Sequence, residues 1–482
     1  MRDLHTILPV LILLLAAEPA FISAIAAEAA PEMPLDQLLV TRFGKLSGAE
    51  EQLASTAANG GTANCRNLTG SDKEVRAELF VWLCTNPRPS SKLTYRGISV
   101  EDARFVKVLV LDWARISFPI TLSNCAFPDG ISLVHSHLAN LCLKDSIVSG
   151  IDASEAHIEE DMDLTGLTVM HGLSLTAAKI DGTLVCDSGL FVRNGELLAI
   201  QADAAAVKGS VLFRDGFAEG GVSFSSATID EDVDCDGSLV RGSEKVLALN
   251  ANAAGVKGDI TLRSVKADGG VDIENTKIDG TLTCSGGHFA GNEAMPALNV
   301  NSAHVGRHAL FRKGFKARGT VSLRNAQISG NLDWFGVQSP QAAILDLRRA
   351  KAGTLVIDSS WPQQGNLLID GFVYDQIGDV VSPSADFLLA WLGRQPNDRF
   401  VSQPFEQLAA VLRKMGLEED ARKVLIAKNN DHERYVRWRP EWLWYGCFGR
   451  LINFGYTPWN AFYASLVVVL FGTAAFRNAY LC

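Results

Sequence analysis

The chain carries a repeating pattern of apolar and polar positions from Ile120 to Ile369, in which an apolar-x-apolar tripeptide returns about every 11 residues. The first of these tripeptides are Ile120-Thr121-Leu122, Ile131-Ser132-Leu133 and Leu141-Cys142-Leu143. Successive side chains of a β-strand point to opposite sides, so both apolar residues face inward and the middle residue faces solvent. The pattern therefore predicts short strands wound into a solenoid.

A longer repeat contains four of these tripeptides. Its equivalent isoleucines lie 49, 49 and 50 residues apart, at Ile180, Ile229, Ile278 and Ile328. The segment beginning at Ala156 precedes the related segment at Ala178 by 22 residues, which makes one coil about 22 residues long. Each long repeat is then two coils, the second stretched by a short loop.

These distances predict an all-β fold, a right-handed, four-sided parallel β-helix with about 22–27 residues per coil, helical caps and a C-terminal membrane helix. The competing all-β fold is a sandwich of short strands. Equivalent positions of a sandwich have no physical reason to recur at a fixed spacing of 49 residues, so this spacing favours the β-helix.

Outward charges alternate in sign when the coils are placed in register. The members of this predicted structural charge ladder are Asp181, Lys208, Asp230, Lys257, Asp187, Arg214, Asp236 and Arg263. Opposite charges one rung apart stabilise a sheet by a few tenths to ~1 kcal/mol each. The alternative interpretation of the basic members is an anion-binding stripe.

The opposite side of the predicted coil is flatter and less charged. Its outward residues include Ser174, Ala199, Ser223, Ala248, Asn250, Asn299 and Asn301. If the protein binds a glycan or a protein partner, Ser174, Ser223, Asn250, Asn299 and Asn301 are the predicted surface. The alternative is an ordinary solvated sheet.

The N-terminal part of the chain predicts export. An apolar run from Ile7 to Ala17 precedes Ala24-Ile25-Ala26, which has the form of a signal-peptide cleavage site, so residues 1–26 are interpreted as a signal peptide. Residues 27–95 follow as a helical cap over the first coil, with a helix predicted from Lys73 to Leu83.

The 9 cysteines do not have the spacing of a disulfide framework. Cys65 and Cys84 are the one plausible disulfide pair. Cys186, Cys235 and Cys284 lie 49 residues apart in the same repeat position, which predicts buried, small apolar side chains.

Residues 96–372 form the predicted β-helix domain, and 383–435 predict a helical hairpin beyond it. A short helix from Pro383 to Leu392 would close the far end, and helices from Gln403 to Met415 and from Glu418 to about Lys428 would form the pair. The sequence of residues 436–482 predicts an interfacial segment followed by a membrane helix from Trp459 to Tyr480.

The sequence places constraints on chemistry and partners. A net charge of −10 argues against nucleic-acid binding. The chain has no G-x-G-x-x-G, Walker A, H-E-x-x-H, G-x-S-x-G or paired C-x-x-C motif, so we expect no cofactor and no metal. His135 and His137 are interpreted as surface histidines. Asp230 and Asp236 are interpreted as ladder members, with a calcium site in the acidic cluster from Asp230 to Asp236 as the weaker alternative.

Three features together resemble a group of bacterial membrane-associated proteins built from pentapeptide-like β-helical repeats. They are Val75 to Leu79, the repeated A-x-I-x-G-x-L-x-C segments, and Gln403 to Leu408 followed by Glu419 to Leu425. The resemblance implies a β-helix on a membrane anchor with no settled activity. Some of these proteins are labelled oxidoreductases, but this chain shows no cofactor-binding residues to support that label.

These inferences predict a non-catalytic, membrane-tethered β-helix that acts as a scaffold or interaction module of the bacterial cell envelope. Its expected partners are the membrane and an envelope glycan or protein, and its expected location is periplasmic. The orientation stays open, because export would leave Arg434 and Arg437 outside, against the positive-inside tendency. The alternatives are a polysaccharide lyase or hydrolase, which needs converging acids and bases in a groove, and a cytoplasmic duplex mimic, which the signal peptide disfavours.

Overall fold

The computed structural model describes residues 33–193, 198–378, 384–436 and 458–480. The predicted signal peptide and the interfacial stretch 437–457 lie outside these residues, so both stay predictions. Within the described chain, the strands pair in parallel and form one 23-stranded and one 22-stranded sheet. This parallel solenoid of short strands is compatible with the predicted β-helix.

Each coil contributes strands to four columns, which we call faces A, B, C and D in chain order. In one coil they are Ile120–Ser123 on face A, Ala126–Phe127 on face B, Ile131–Ser132 on face C and His137–Leu138 on face D. Faces A and D belong to the 23-stranded sheet, and faces B and C to the 22-stranded sheet. Long strands near the C-terminal end join neighbouring faces.

The strands of each face follow one another along the solenoid axis. Face A contains Thr62–Asn64, Ile98–Glu101, Ile120–Ser123, Leu141–Cys142, Met162–Asp163, Leu184–Val185, Val211–Leu212, Val233–Asp234, Ile260–Thr261, Leu282–Thr283 and Ala309–Arg312. Face B contains Glu74–Arg76, Arg104–Val106, Ala126–Phe127, Ile147–Val148, Thr168–Val169, Leu190–Val192, Phe217–Glu219, Leu239–Arg241, Lys266–Asp268 and His288–Ala290.

The other two faces are built in the same way. Face C contains Leu109–Val110, Ile131–Ser132, Ile151–Asp152, Leu173–Ser174, Ile200–Gln201, Val222–Ser223, Leu249–Asn250, Val271–Asp272, Leu298–Asn299, Ala343–Asp346 and Leu367–Leu368. Face D contains Arg115–Ile116, His137–Leu138, His157–Ile158, Lys179–Ile180, Ala206–Val207, Thr228–Ile229, Gly255–Val256, Lys277–Ile278 and His304–Val305. Lys316–Ser322 spans faces B and C, and Gln327–Phe335, Lys351–Ile357 and Val373–Ile377 span faces D and A.

The coil length alternates through the middle of the solenoid. On face A, Leu184 lies beside Val211, Val211 beside Val233, and Val233 beside Ile260, so steps of 27, 22 and 27 residues follow one another. The additional residues form loops between faces B and C, such as 242–248, which connects Leu239–Arg241 to Leu249–Asn250. The repeat of 49 residues is therefore a short coil plus a coil with a loop.

Between Ile98 and Arg349, the corners after faces A and C are each turned by a residue in the left-handed backbone region. The set includes Asn124 and His135 in one coil, with φ of 52° and 55°, and Asp215 and Ser226 in a later one, with φ of 52° and 56°. Gly, Asn and Asp adopt this conformation most readily, which explains why these residues are frequent at the corners.

The interior of the solenoid is filled by columns of apolar side chains that stack on each other. One column on face A alternates small and large residues: Cys186, Phe213, Cys235, Leu262, Cys284 and Phe311, all buried. Alternation of this kind lets successive layers interdigitate at the packing density of a protein core. The three cysteines are free thiols, in agreement with their predicted role as small apolar residues.

The N-terminal region covers the first coil but is not wholly helical. Its helices are α1 (Leu35–Phe43), α2 (Gly48–Ala57), α3 (Ala77–Thr85) and α4 (Pro87–Ser90), with a short 3-10 turn at Gly70–Lys73. Thr62–Asn64 and Glu74–Arg76 are strands that extend faces A and B by one rung. The helix predicted from Lys73 therefore begins later, because Glu74–Arg76 pairs with the coil above.

Cys65 and Cys84 do not form the disulfide that the sequence allows. Both are buried free thiols in this region. Cys65 follows the strand Thr62–Asn64, whereas Cys84 lies in α3. Each thiol packs in the apolar interior, so both behave as core residues.

Helices also close the C-terminal end of the solenoid. They are α5 (Ala385–Leu392), α6 (Gln403–Lys414) and α7 (Glu418–Val436), and α7 is longer than its prediction, which ended near Lys428. Gly416, with φ of 82°, separates α6 from α7. A last helix, α8, covers Pro458–Tyr480.

The predicted membrane helix coincides with α8 in sequence. Measured over the residues that the structure describes, no helix combines the length and the apolar character that crossing a membrane requires.

Candidate functional site

The predicted partner surface lies on the outward side of face C. Register along this face places one polar residue of each coil beside the next: Ser174, Gln201, Ser223, Asn250, Asp272, Asn299 and Ser322. Four predicted surface residues, Ser174, Ser223, Asn250 and Asn299, therefore share a single column, but Ser223 is only 1% exposed and so offers almost no surface to a partner. Outward residues repeat at every second position, so a second column runs two residues further along each coil.

The fifth predicted residue, Asn301, belongs to this second column. Backbone hydrogen bonds between successive coils align its members, which are Thr176, Asp203, Ser225, Asn252, Glu274, Asn301 and Arg324. We call the two columns together the polar strip. Ala199 and Ala248 were predicted on the same surface, but both are fully buried. The residues that point outward there are Gln201 and Asn250.

Side chains of the polar strip bond to each other from coil to coil. The Asn250 amide donates to Ser223 Oγ at 3.3 Å, and the Ser223 hydroxyl donates to Asp203. Further along, the Asn299 amide donates to Glu274 Oε2 at 3.1 Å. The strip is thus a pre-ordered row of hydroxyl, amide and carboxylate groups. Its half-buried members, such as Asn250 and Asn299, keep donors and acceptors for a ligand, whereas Ser223 and Ser322 are buried.

The middle of the strip holds two neighbouring acidic side chains. Asp272 and Glu274 occupy adjacent columns, and the Glu274 backbone N–H donates to Asp272 Oδ1 at 2.9 Å. Burial raises the pKa of the Asp272 carboxyl above its ordinary value, and the charge of Glu274 adds to the rise. Asp272 is therefore less well solvated as an anion than a surface carboxylate.

At its C-terminal end the strip becomes basic. Arg324 Nε donates to Asp346 Oδ2 at 2.6 Å, and Arg348 Nε donates to Asp346 Oδ1 at 2.8 Å. Asp346 is buried, and although burial raises its pKa, the hydrogen bonds from the two arginines hold the pKa below its ordinary value. Arg348 and Asp370 continue the second column beyond Arg324.

Arg348 and Asp370 open into a cleft of about 730 Å³ between the last coil and helices α5 to α7. Its apolar lining includes Leu367 and Phe405, both buried. Its polar lining includes Arg348, Asp370, Asp398, Arg399, Asp431 and Arg434. The polar strip therefore leads into a concave cleft whose exposed lining is mainly polar and charged, with buried apolar side chains beneath it.

The sequence did not reveal this cleft. The helical pair was predicted as a packing hairpin, whereas the structure uses α7 and the segment before α6 as walls of the cleft. A signal was present in Gln403 and Gln407 of the C-terminal motif. Gln403 accepts from the Gly371 N–H at 2.9 Å and Gln407 donates to the Tyr374 carbonyl at 2.7 Å, which fixes α6 to the last coil.

The predicted charge ladder residues lie in consecutive rows on faces A and D. Lys208 Nζ lies 2.9 Å from Asp181 Oδ1, and Lys257 Nζ lies 2.9 Å from Asp230 Oδ1. Near face A, Arg263 pairs with Asp236 at 2.6 Å, and Arg214 pairs with Asp187. Each base contacts the acid one 27-residue coil before it. Because these basic side chains are already paired with aspartates, they are not free to form the anion-binding stripe.

The histidines near the N-terminal end bond to neighbouring acids. His135 Nδ1 lies 3.3 Å from Glu155, and His137 Nε2 lies 2.7 Å from Glu159. Across the part of the chain with described coordinates, no group of three or more His, Cys, Asp or Glu side chains is arranged to hold a metal ion.

Comparison of the chain with protein-family models and with curated proteins gives no match.

Proposed function

We propose that this protein is a non-catalytic interaction module of the bacterial cell envelope that binds an extended glycan along the polar strip. One end of the glycan would occupy the cleft at the C-terminal end of the strip. The observation that carries the proposal is the continuity of the second column, from Asn301 through Arg324 and Arg348 into the cleft.

Three features support a glycan as the ligand. The strip offers serine, asparagine and glutamine groups at the spacing of a β-ladder, roughly 4.8 Å, so an extended chain can meet a polar side chain on every coil. Such side chains both donate and accept hydrogen bonds, as sugar hydroxyls do. The apolar lining of the cleft can contact the less polar face of a terminal sugar ring. A protein segment is the second kind of partner that the strip fits.

Membrane association and export are also part of the proposal. The C-terminal helix α8 exposes a set of large apolar side chains that includes Trp459, Phe462, Leu466, Val468, Phe471 and Phe476. Exposed apolar area of this size supports contact with lipid. We also infer that the coils are right-handed, since connections between parallel strands are right-handed in about 98% of cases. We infer in addition that the coils are of the pentapeptide-like type.

The test is binding of purified envelope glycans to the full-length chain, followed by a double substitution Asn250→Ala/Asn299→Ala on the strip. We expect affinity to fall about tenfold or more, because each lost hydrogen bond contributes about 1 kcal/mol. The matched control is Thr228→Ala/Gln327→Ala, two exposed residues of face D that should leave binding unchanged. Equal effects of the two double variants would refute the strip as the binding surface.

A pull-down of the tagged chain from membranes identifies the natural ligand. Recovery of a glycan supports the proposal, and recovery of a protein that still binds after glycosidase treatment replaces the glycan by a protein partner. Recovery of the chain alone contradicts both.

A carbohydrate-active enzyme is the second candidate function. Asp272 and Glu274 favour it, because adjacent carboxylates with unequal environments can act as acid and base in polysaccharide cleavage. The decisive assay is release of reducing ends or unsaturated products from acidic polysaccharides. Cleavage that is lost in both Asp272→Asn and Glu274→Gln would establish the enzyme, and binding without cleavage would exclude it.

A further inference from the structure

The outward side of face B differs from the other faces because one column of its first half, from Ile147 to Leu239, is mostly apolar. Ile147 and Leu190 are 58% and 37% exposed and have Thr168 between them, and Met170, 45% exposed, lies in the neighbouring column on the same coil as Thr168. Phe217 and Leu239 continue the column of Leu190 toward the C-terminal end and are half-buried. An apolar column on the outside of a sheet is unusual, since outward positions are normally polar.

The second half of the same face is basic. Lys266, His288 and Lys316 follow Leu239 in one column, and Arg241 and Arg318 belong to the neighbouring column. The acidic residues of that neighbouring column are Glu219 and Asp268. Arg241 also stacks over the Phe217 ring at 5.5 Å, at the boundary between the apolar and basic halves.

The basic residues in the second half of face B differ in their contacts from those of the charge ladder. Among the described residues, no oppositely charged group lies within ion-pair distance of Lys266, Lys316 or Arg318, whereas Lys208 and Lys257 each contact an aspartate at 2.9 Å. In a chain of net charge −10, a cluster of unpaired cations marks a surface that meets an anionic partner.

We propose that face B is a lipid-docking surface that lies flat on an anionic membrane. Seven rungs separate Ile147 from Lys316, which at ~4.8 Å per rung is about 34 Å of rigid surface. A membrane interface can contact both halves of face B. Its headgroup phosphates would bind Lys266, Lys316 and Arg318, and its acyl boundary would take up Ile147, Met170 and Leu190. A soluble polyanion would use the basic half alone. The polar strip on face C plays no part in this surface, so either proposal can fail while the other holds.

Lysine acetylation of the full-length wild-type chain tests the surface directly. Lys266 and Lys316 should be acetylated at least fivefold more slowly on phosphatidylglycerol vesicles than on phosphatidylcholine vesicles. Lys179 and Lys351 are exposed lysines of face D, which lies across the coil from face B, and they serve as internal controls that should react equally on both. Protection of none or of all four lysines overturns the proposal. Protection by dextran sulfate but not by vesicles also overturns it, in favour of a soluble polyanion.

Charge reversal gives a second, independent measurement by vesicle flotation. The variant Lys266→Glu/Lys316→Glu/Arg318→Glu should partition onto anionic vesicles roughly a hundredfold less at low salt, since each basic residue at the surface contributes about fivefold. The control Arg115→Glu/Lys179→Glu/Lys351→Glu changes the net charge equally on face D and should lose less than fivefold. Equal losses in the two triple variants would show a general charge effect and reject face B as the docking surface.

Discussion

At the scale of single residues, the corners of the coils are positions where a substitution can raise the stability of the fold. Ala204 turns the corner after face C with φ of 57°, is exposed, and lacks the side-chain polar group that lets Asn or Asp adopt this conformation. The left-handed region costs alanine roughly 1–2 kcal/mol, and glycine adopts it without steric cost. We expect Ala204→Gly to raise the free energy of unfolding by about 0.5–1 kcal/mol in urea titration.

The matched control is Ala206→Gly, two residues further on and inside the strand Ala206–Val207. Glycine weakens a strand, so this variant should lose about 0.5–1 kcal/mol. Opposite signs for the two substitutions are the expected result, and a loss in both would show that Ala204 carries no backbone strain.

Asp346 makes the stability of the fold depend on pH. Its buried carboxylate bonds to Arg324 and Arg348, whose hydrogen bonds lower its pKa. A carboxyl with a lowered folded-state pKa stabilises the fold above the unfolded value of about 3.9, and this contribution disappears as the pH falls through the folded-state pKa. At pH 7, Asp346→Asn should cost about 1.5–3 kcal/mol, since it removes the anion from its hydrogen bonds to two half-exposed arginines.

Denaturant titrations across pH 2 to 7 check this expectation. The difference between wild type and Asp346→Asn should begin to shrink below about pH 4, where the carboxyl of the unfolded wild-type chain takes up a proton, and should disappear as the folded carboxyl becomes protonated at lower pH. Asp375→Asn is the control, because its contact with Lys414 at 3.9 Å is exposed and should contribute less than about 0.5 kcal/mol. A difference between wild type and Asp346→Asn that persists unchanged at acidic pH would contradict the electrostatic account.

At the scale of elements, α6 protects the last strand of the solenoid. Val373–Ile377 is an end strand whose outer backbone groups would otherwise pair with another chain. Gln403 bonds the Gly371 N–H and the Phe372 carbonyl, and Gln407 bonds the Tyr374 carbonyl. The spacing of four residues places both glutamines on one side of α6.

Removing both side chains should therefore affect stability and association together. Gln403→Ala/Gln407→Ala should lower the free energy of unfolding by about 2–3 kcal/mol, since three hydrogen bonds are lost, and should cause concentration-dependent association through the uncovered strand. Lys414→Ala on the same helix is the control. Light scattering at several protein concentrations measures the association, and a monodisperse double variant would show that α6 does not protect the edge.

Elements that repeat along the chain can be predicted from its sequence. Ile180, Ile229 and Ile278 keep their phase because parallel coils stack identical positions, so the strands, the coil length and the charge rows follow from spacing alone. Ala199 and Ala248 were assigned to the wrong side for a related reason. Leu198 and Leu247 belong to the loops of the long coils and resemble the first residue of a tripeptide, but the strands begin two residues later, at Ile200 and Leu249. Ala199 and Ala248 therefore lie before the strands, where the alternation of inward and outward side chains does not apply.

The candidate site was predicted in part for the same physical reason. Ser223, Asn250 and Asn299 fall in one column because strand register depends on local sequence. The cleft depends on how α5 to α7 pack against the last coil, and no repeated pattern encodes that arrangement. The unpaired cations Lys266 and Lys316 look like the paired ones in sequence, and distances in three dimensions are needed to tell them apart.

At the scale of the whole molecule, the solenoid is a linear array in which each coil contacts its two neighbours. Stability then comes from coil interfaces, and the ends open before the middle. The buried thiols report on this order: Cys84 and Cys125 lie near the N-terminal end, and Cys235 lies near the centre. Burial raises the pKa of the Cys84 and Cys235 thiols above the ordinary value, so neither should react while its coil is closed.

Pulsed thiol labelling with peptide mass spectrometry, in guanidinium below the unfolding midpoint, measures the opening of each part. We expect Cys84 and Cys125 to label before Cys186 and Cys284, and Cys235 to label last, because opening the centre requires breaking more coil interfaces than opening an end. Identical rates at all five thiols would mean that the solenoid opens as one cooperative unit. That result would show that the caps and the stacked core columns couple the coils more strongly than nearest-neighbour contacts do.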